Sequence, residues 1–549
     1  MKKNIVLSLL ALTFLTQIYA VESPNSRSFR ISKNLNIFNA LFRELDLFYV
    51  DTLNYDKVMK SAIDDMLSKT DPYTVYLPEE ETDDLKFMTT GEYAGVGAMI
   101  AKIKNQICIS EPYEGMPAQR NDLRAGDVIL EVDGHKVDGL TVSEVSSFLK
   151  GAPNTTVKIK LKRLGESSPL IKEFKREKIV VKSVTYSNIV APKVGYLLLN
   201  DFTDHSAMEL KQVVSSMVAE SEINALILDV RGNGGGLIDE AVKILGYFLP
   251  KGTEVVSTKG KLKQIDRLYK TPLDPIFPNL KLVVLTNRSS ASASEILAGA
   301  IQDLDRGVIV GERTYGKGLV QNIRPLSYGG HLKVTTAKYY IPSGRCIQAV
   351  DYSRRNEDGS VGLVPDSLTS VFTTRNGRKV RDGGGIVPDT LTVDERKLNV
   401  AYYIFLQNLY FEYANQYVLK HPTIESPQKF RITDDEFNLF CAYLSDQKFT
   451  YTSQTQKYYD ELFDMAKLEG LDTAAASEFT ALKSKILPDI SKSIVENKTD
   501  ILEFLSLEII KRYYFQKGEI QYSLRNDKDL KIAISILSDE KAYQKCLGY

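Results

Sequence analysis

One segment constrains the fold of this chain more than any other, a strand-like run that passes through glycines into an apolar helix. Residues 225–230 are apolar except for Asp229 and predict a buried strand, and residues 237–249 predict a helix. The connection between them, Arg231–Gly236, contains four glycines. A glycine-rich turn leaves backbone N–H groups free and lets another segment approach closely. The pattern therefore predicts a turn whose amides can stabilise an oxyanion, and an ordinary loop or an anion-binding nest is the alternative.

A second run of small residues, Ser290–Glu295, reads Ser-Ala-Ser-Ala-Ser-Glu and precedes residues 296–301, which are apolar at helical spacing. This arrangement places Ser292 at or near the positive end of a helix, where a polarised hydroxyl is favoured. A serine hydroxyl needs a neighbouring base to take its proton as it attacks a carbonyl carbon. Ser292 and Glu295 also match a helix capping box, which is the structural alternative for this segment.

A candidate base, Lys317, follows Ser292 by 25 positions, and Gln321 follows Lys317 by four. Lysine accepts a proton only when its amine is neutral, and burial among apolar groups favours the neutral form. The strand-like run Val308–Val310 and the uncharged neighbours of Lys317 provide such surroundings. Gln321 can orient the amine by hydrogen bonding without adding a negative charge that would keep it protonated.

Two other interpretations of these residues remain open. Gly311–Lys317 has the spacing of a phosphate-binding loop, but Gly318 stands where a Ser or Thr should hold magnesium, and Pro325 interrupts the helix that should follow. A Ser-His-Asp triad is the second alternative. Of the four histidines, His205 has the sequence position from which it can approach a site, because it lies between a predicted strand and a predicted helix.

Several motifs resemble those of the carboxyl-terminal processing peptidases, also called tail-specific proteases. The similar segments are Ser290–Glu295, Gly311–Gln321, Tyr339–Arg345 and the glycine-rich turn Asp229–Gly236. The turn departs from the family at Gly234, where the family often has proline. The resemblance implies an α/β (α+β) hydrolase core with a mixed sheet, similar to the tail-specific protease or crotonase-like fold. It implies no metal and no organic cofactor.

The resemblance also implies a role for individual residues. Ser292 matches the nucleophile of the family, Lys317 its general base and Gln321 the residue that positions the lysine. The backbone amides of Gly235 and Ala293 are the implied oxyanion donors.

Residues 93–162 predict a separate small domain. A helix from Thr141 to Lys150 begins with a Thr141–Glu144 capping box and carries apolar residues on one face. Together with the segment 123–134, it makes this region similar to a PDZ domain, which adds a peptide strand to its own sheet and holds the terminal carboxylate on backbone amides. The resemblance implies a carboxylate-binding loop formed by Tyr93, Ala94, Gly95, Val96 and Gly97.

The 549 residues exceed what one hydrophobic core normally supports. The predicted domains are a signal peptide (1–20), an N-terminal helical region (21–90), an inserted PDZ domain (91–165), a Ser-Lys peptidase core (166–395) and a helical C-terminal domain (396–549). The last of these is rich in helical periodicity, and the family resemblance does not extend over it.

The amino terminus predicts export. Lys2 and Lys3 precede the mostly apolar stretch Ile5–Ala20, which is short for a bilayer span and typical of a secretory signal cleaved after Ala20. The predicted location is the periplasm, and an uncleaved segment that anchors the protein in the inner membrane is the alternative. Lys+Arg and Asp+Glu both number 70, so the basic excess typical of a nucleic-acid partner is missing.

These patterns predict a secreted serine endopeptidase that recognises protein carboxyl termini through its PDZ domain and cleaves by way of an acyl-enzyme. Its partners are protein or peptide substrates with free carboxyl termini, and a homodimer or an adaptor protein is a further possibility. The alternative is a non-catalytic periplasmic protein that binds peptides, or a pseudo-peptidase latched in an inactive state.

Overall fold

The computed structural model describes residues 26–356, 360–393 and 398–549. The chain divides into two units, of which the first ends at Tyr76 and the second begins at Leu77. The predicted signal peptide, residues 1–20, lies outside the described residues. Within the described ranges, no helix has both the length and the apolar character that crossing a bilayer requires.

The first unit contains two helices, α1 (Arg27–Phe48) and α2 (Tyr55–Ser68). Each begins at a side chain that accepts a hydrogen bond from the first turn, Ser26 for α1 and Asn54 for α2. Both helices lie within the N-terminal region, residues 21–90, that the sequence predicts to be helical. A short strand, β1 (Val75–Leu77), follows.

The PDZ region is built on an antiparallel sheet. Its strands are β2 (Glu92–Gly95), β3 (Ala98–Ile103), β4 (Gln106–Pro112), β5 (Val128–Val132), β6 (His135–Lys136), β7 (Thr156–Lys162), β8 (Leu170–Lys175) and β9 (Glu177–Val180). Its helices are α3 (Thr82–Thr90), which precedes β2, α4 (Pro117–Arg120) and α5 (Val142–Leu149). The sheet order is β3-β4-β5-β7-β8, with β6 beside β5 and with β2 paired separately to β9. The capping box predicted for α5 is present.

The antiparallel sheet of the PDZ region continues past the predicted domain boundary at residue 165. Strand β8 pairs with β7 along its whole length, from Thr156 opposite Lys175 to Leu161 opposite Leu170. Burial alternates along β7, where Val157, Ile159 and Leu161 face the core. Along β8 the exposed positions are Ile171, Glu173 and Lys175, because β8 is an edge strand with one face in solvent.

The core contains two larger sheets and two hairpin-like pairs. The strands are β10 (Val184–Ala191), β11 (Val194–Leu199), β12 (Ala225–Asp229), β13 (Glu254–Gly260), β14 (Arg267–Lys270), β15 (Lys281–Thr286), β16 (Val308–Gly311), β17 (Leu319–Pro325), β18 (His331–Tyr340), β19 (Val350–Arg355), β20 (Val361–Leu363), β21 (Val371–Thr373), β22 (Lys379–Arg381) and β23 (Thr390–Leu391). The helices are α6 (Ser206–Ser221), α7 (Ile238–Gly246) and α8 (Ala293–Asp303). The central sheet runs β10-β11-β12-β15-β16-β23, and every pair except β10/β11 is parallel. The hairpin-like pairs are β19 with β20 and β21 with β22.

Two layers cover the central sheet. On one face, Leu226 and Leu228 of β12 pack in the same cluster as the three core helices. On the other face, Ile227 packs with apolar residues of the segment 530–547. Every residue of β12 is buried, which explains its uninterrupted apolar run. In the second larger sheet, β18 pairs with β13 along residues 337–340 and with β17 along residues 331–338.

The remaining helices are α9 (Val400–Leu406), α10 (Leu409–Lys420), α11 (Asp434–Asp446), α12 (Gln454–Leu468), α13 (Ala476–Ile486), α14 (Ile490–Glu496), α15 (Lys498–Leu524), α16 (Lys528–Ser538) and α17 (Glu540–Cys546). An aromatic-rich core joins α9, α10, α11 and α15, as the helical periodicity predicted. Helices α16 and α17 differ from that prediction because they pack on the central sheet of the core. The hydroxyl of Tyr543 lies 3.1 Å from the amide nitrogen of Leu282, which donates to it.

We expect α16 to contribute directly to the stability of the central sheet. Leu530 is buried against the sheet, so Leu530→Ala should lower the free energy of opening of the β12 and β15 amides by about 2–5 kcal/mol. Native-state hydrogen exchange measures this quantity. Lys531→Ala, on the exposed side of the same helix, is the control and should change it by less than about 0.5 kcal/mol. Equal effects of the two substitutions would contradict the packing described here.

Candidate functional site

The three residues predicted to be catalytic lie on the wall of one cavity. This cavity has a volume of about 430 Å³ and is lined by Ser292, Lys317, Gln321 and the glycines 234–236. Phe87 and Met88 of α3 and Lys333 and Tyr339 of β18 contribute other parts of the wall. Another cavity, of about 330 Å³, lies between the PDZ sheet and helices α10 and α15 and is lined by none of the predicted catalytic residues.

Ser292 occupies an unusual backbone conformation immediately before α8. Its φ is +56° and its ψ is −114°, a region that residues other than glycine rarely adopt. Ala293 is the first residue of the helix, so its amide falls outside the intrahelical ladder. The hydroxyl of Tyr339 donates a hydrogen bond of 3.2 Å to the Ser292 carbonyl and holds this turn from the other sheet.

The two serines that flank Ser292 are structural. Ser290 donates through Oγ to the Val230 carbonyl at 2.8 Å, and Ser294 donates through Oγ to the Asn233 carbonyl at 2.9 Å. Both serines are fully buried. They tie the turn at Ser292 to the glycine-rich turn, which explains why the run contains three serines separated by alanines.

Glycine is required where the glycine-rich turn meets Ser292. Gly235 has a φ of +104°, and a Cβ added to it would lie 2.7 Å from the Cβ of Ser292. At Gly236, with a φ of +143°, an added Cβ would lie 2.3 Å from the Phe202 carbonyl oxygen. A side chain at Gly235 would push the turn away from Ser292, and one at Gly236 would push it away from Phe202.

The amide of Gly235, one of the two predicted oxyanion donors, is not free in this structure. It donates to Oδ1 of Asn233 at 2.8 Å, while Nδ2 of the same buried asparagine donates to the Leu199 carbonyl at 2.8 Å. The sequence analysis expected free amides in this turn. An asparagine two residues earlier can reach its own turn, so the Gly235 amide has a partner here.

Glu295 joins the segment of Ser292 to the segment of Lys317. One carboxylate oxygen accepts from the amides of Ser292 and Lys317, each at 2.9 Å. The other oxygen accepts from the Thr314 hydroxyl at 2.6 Å and from the Gly316 amide at 2.7 Å. Glu295 is fully buried, so these four bonds replace its hydration. The capping interaction predicted from sequence is one of the four, and the other three were missed.

Burial raises the pKa of Glu295 to about 7. The hydrogen bond from Thr314 and the amides of Lys317, Gly316 and Ser292 oppose this rise, because all four donate to the charged carboxylate. The carboxylate therefore titrates near neutral pH. Protonation of the carboxylate weakens the hydrogen bonds that the protonated oxygen accepts.

The side chain of Gln321 is fixed from the neighbouring strand. Its Nε2 donates to Oγ1 of Thr335 at 3.2 Å, and the two residues face each other across β17 and β18. This bond occupies the nitrogen end of the amide and leaves the carbonyl oxygen as the acceptor for another donor.

The two alternative interpretations of the motif do not fit this geometry. The amides of Gly316 and Lys317, which would bind phosphate in a nucleotide loop, donate to Glu295, and β17 follows them instead of a helix. His205 is not among the described residues that line the cavity. Its Nε2 lies 3.2 Å from Asp204 and 3.4 Å from Glu92.

Comparison with known proteins decides the family. The profile of peptidase family S41 matches residues 193–355, and that of the PDZ domain matches residues 108–163. A carboxy-terminal-processing protease of Bartonella bacilliformis is 35% identical over 337 residues, which cover 61% of this chain and 74% of that protein. The chain belongs to peptidase family S41. The predicted family and the serine peptidase activity are thereby confirmed, and the sheet topology confirms the mixed α/β fold class.

Other relatives of this S41 peptidase are similar over comparable lengths. A probable CtpA-like serine protease of Staphylococcus aureus is 36% identical over 316 residues, or 57% of this chain and 62% of that protein. A solved structure of the photosystem II D1 C-terminal processing protease shares 29% identity, covers 65% of this chain and 86% of its own, and has a TM-score of 0.35.

The statement that the resemblance stops before the helical tail is wrong. A profile described as "Probable PDZ-protease, C-terminal helical domain" matches residues 400–537 of this S41 peptidase. The tail carries no catalytic motif, and its signal is spread over apolar positions of many helices. A search for short motifs therefore cannot find it.

The predicted carboxylate-binding loop of the PDZ domain differs in detail from the structure. Tyr93, Ala94 and Gly95 belong to strand β2 and pair with β9. Burial raises the pKa of the Tyr93 hydroxyl, and the nearby backbone amides of Gly97 and Ala98 oppose the rise. Three of the five predicted loop residues are therefore part of a paired strand.

A charged cluster links helix α16 of the S41 peptidase to the glycine-rich turn. Arg231, the first residue of that turn, lies 2.6 Å from Asp229, 2.6 Å from Asp527 and 3.1 Å from Asp529. Burial acts to lower the pKa of Arg231, but Asp229 and Asp527 outweigh it and raise the pKa, so the guanidinium stays charged. Tyr196 donates to Asp229 at 2.7 Å and completes the cluster.

We expect Glu295→Gln to reduce catalysis without abolishing the fold. Glutamine keeps one acceptor oxygen but points an NH₂ group at backbone donors, so the turns of Ser292 and Lys317 lose their shared anchor. The loss of one charge-assisted hydrogen bond predicts a decrease of about 10- to 100-fold in kcat, with a smaller change in KM. Glu254→Gln, the same change at an exposed position, is the control. An unchanged kcat in a variant with unchanged Tm would contradict this role.

Glu295 should also make stability depend on pH. Its pKa is about 7 in the folded state and 4.5 in an exposed chain, so the folded state binds more protons between these values. The contribution of this group to stability is present below pH 4.5 and falls by about 3 kcal/mol as the pH rises through 7. Thermal unfolding of wild type and Glu295→Gln at pH 5 and pH 7.5 measures this term. Parallel pH profiles of the two proteins would refute it.

Proposed function

We propose that this S41 peptidase is an exported endopeptidase that cleaves protein chains by a Ser-Lys mechanism. The observation that carries the proposal is the Glu295 carboxylate, which accepts from the amides of both Ser292 and Lys317 at 2.9 Å. These two residues are 25 positions apart in the chain, and both line one cavity. This shared carboxylate holds the backbones of Ser292 and Lys317 together, as a proton transfer between their two side chains requires.

In the proposed mechanism, Oγ of Ser292 attacks the scissile carbonyl carbon and the neutral amine of Lys317 takes its proton. The resulting ammonium then donates this proton to the leaving amine, and water hydrolyses the acyl-enzyme. Gln321 positions Lys317 through its carbonyl oxygen, because Thr335 already occupies its nitrogen. A neutral amide orients the lysine and adds no charge that would stabilise the ammonium.

The oxyanion of the tetrahedral intermediate is proposed to bind the amides of Ala293 and Gly235. Each preorganised donor contributes about 3–4 kcal/mol in well-studied hydrolases. The amide of Ala293 begins helix α8, so the helix dipole adds to its effect. The amide of Gly235 joins when it exchanges Oδ1 of Asn233 for the developing oxyanion.

The proposed substrates are proteins or peptides with free carboxyl termini, which the PDZ domain binds by adding a strand to its sheet. Strand β3 supports this proposal, because it is an edge strand and lies next to α5. The proposed location is the periplasm, reached through the amino-terminal signal, with inner-membrane anchoring as the alternative. A homodimer or an adaptor protein stays a prediction.

A latched or non-catalytic peptide-binding protein is the second candidate. One observation favours it, since the Gly235 amide donates to Oδ1 of Asn233. This contact satisfies a donor that a substrate would otherwise bind. The presence of Ser292, Lys317 and Gln321 in one cavity favours the enzyme.

Digestion of casein by purified variants tests the proposed mechanism. Ser292→Ala and Lys317→Ala should each reduce cleavage by at least about 1,000-fold, because nucleophile and base act as a unit. Ser289→Ala, an exposed serine three residues away, is the control and should keep wild-type activity. If the wild type cleaves nothing while all three variants bind peptide as it does, the second candidate is correct.

A further inference from the structure

A second lysine, Lys333, lines the proposed catalytic cavity and has no part in the mechanism above. It lies on strand β18, is half-buried, and shares the cavity wall with Ser292 and Lys317. A lysine on an open surface keeps its ammonium fully hydrated, whereas the side chain of Lys333 is partly shielded from water.

The strand register places Lys333 close to the catalytic end of the cavity. Gln321 of β17 is opposite Thr335, and Ile323 is opposite Lys333. Residues directly opposite each other share one face of a sheet, so Gln321, Ile323 and Lys333 all face the cavity. Lys333 is thus a diagonal neighbour of Gln321, a relation that puts their Cβ atoms roughly 7–8 Å apart.

The charge of Lys333 is not compensated within the described part of the chain. Burial lowers the pKa of its ammonium, and none of the described carboxylates offsets that effect. Asp201 is the acidic residue among those that line the cavity, and the pKa of its carboxyl is raised by burial alone. Because neither group influences the other, the two do not form a pair across the cavity.

A partly desolvated ammonium in a peptide-binding cavity favours an anionic ligand. A peptide substrate offers carboxylates, either at its carboxyl terminus or on an aspartate or glutamate side chain. We propose that Lys333 is a specificity-determining residue that binds a substrate carboxylate inside the catalytic cavity. This inference rests on the proposed function and adds a second point of substrate recognition, separate from the PDZ domain.

The distance along the sheet indicates which substrate residue is bound. An extended peptide advances about 3.3 Å per residue, so the span from Gln321 to Lys333 corresponds to roughly two to three substrate residues. A carboxylate at that separation from the scissile bond fits this position. A substrate without one would leave the ammonium of Lys333 without a counterion in the cavity.

Matched fluorogenic peptides test the inference. One sequence is made with a free or an amidated carboxyl terminus, and with Glu or Gln three residues from the scissile bond, whose position is confirmed by mass spectrometry. The proteins are wild type, Lys333→Met, Lys333→Arg and the control Lys338→Met. Lys338 lies on the same strand but is exposed on its opposite face. The readout is the ratio of KM values between the neutral and the anionic peptide of each pair.

We expect wild type to prefer an anionic peptide by about 10- to 100-fold in KM, as one charge-assisted hydrogen bond predicts. Lys333→Met should lose this preference, whereas Lys333→Arg and Lys338→Met should keep it. An effect of amidation identifies the terminal carboxylate as the ligand, and an effect of Glu against Gln identifies a side chain. A wild type without preference, or a Lys333→Met variant that keeps it, would overturn the inference.

The same peptides separate failure of this inference from failure of the proposed function. If wild type cleaves none of them, the peptidase mechanism fails. Fluorescence anisotropy with Ser292→Ala and with the double variant Ser292→Ala, Lys333→Met then measures the same ratio as dissociation constants. Equal ratios in the two proteins would refute carboxylate binding by Lys333, and a ratio lost only in the double variant would support it.

Discussion

The buried carboxylate of Glu295 is the interaction on which the rest of the site depends. It binds backbone donors from the Ser292 turn and from the segment of Thr314 to Lys317, so two remote parts of the chain share one charge. Removing a carboxylate from water is costly, and four hydrogen bonds are what offsets that cost here. Because the bonds go mostly to the backbone, they fix where the chain runs and leave the side chains of Ser292 and Lys317 for chemistry.

Hydrogen bonds also hold the glycine-rich turn in place, and here they come from uncharged polar side chains. Ser290 and Ser294 bind two of its carbonyl groups, and Asn233 binds within the turn and to β11. An ion pair between Arg231 and Asp527 joins the turn to the residue that precedes helix α16. The cavity wall is therefore assembled from segments that meet only in the folded chain, and each junction is made by a buried hydrogen-bonding group.

The residues that stand in short sequence motifs could be predicted. The roles that depend on contacts between segments far apart in the chain could not. Ser292, Lys317 and Gln321 stand in short motifs, and the structure places them in one cavity. Glu295 was recognised as a cap, because a capping box is visible over four residues, but its bonds to residues 314–317 require the fold. The membership of β8 in the PDZ sheet was missed for a related reason, since this edge strand is defined by its pairing with β7.

The position of helix α16 in the chain determines when the central sheet can complete its packing during synthesis. Leu530 and its neighbours cover one face of a sheet whose strands come much earlier in the chain, and Asp527 and Asp529 reach Arg231 across 296 and 298 positions. A chain that emerges from its amino terminus, whether from a ribosome or through a translocation channel, therefore keeps an uncovered apolar strand face until these residues arrive. The central sheet of a nascent peptidase of this design therefore lacks one of its two covering layers until residues 530–547 have been synthesised.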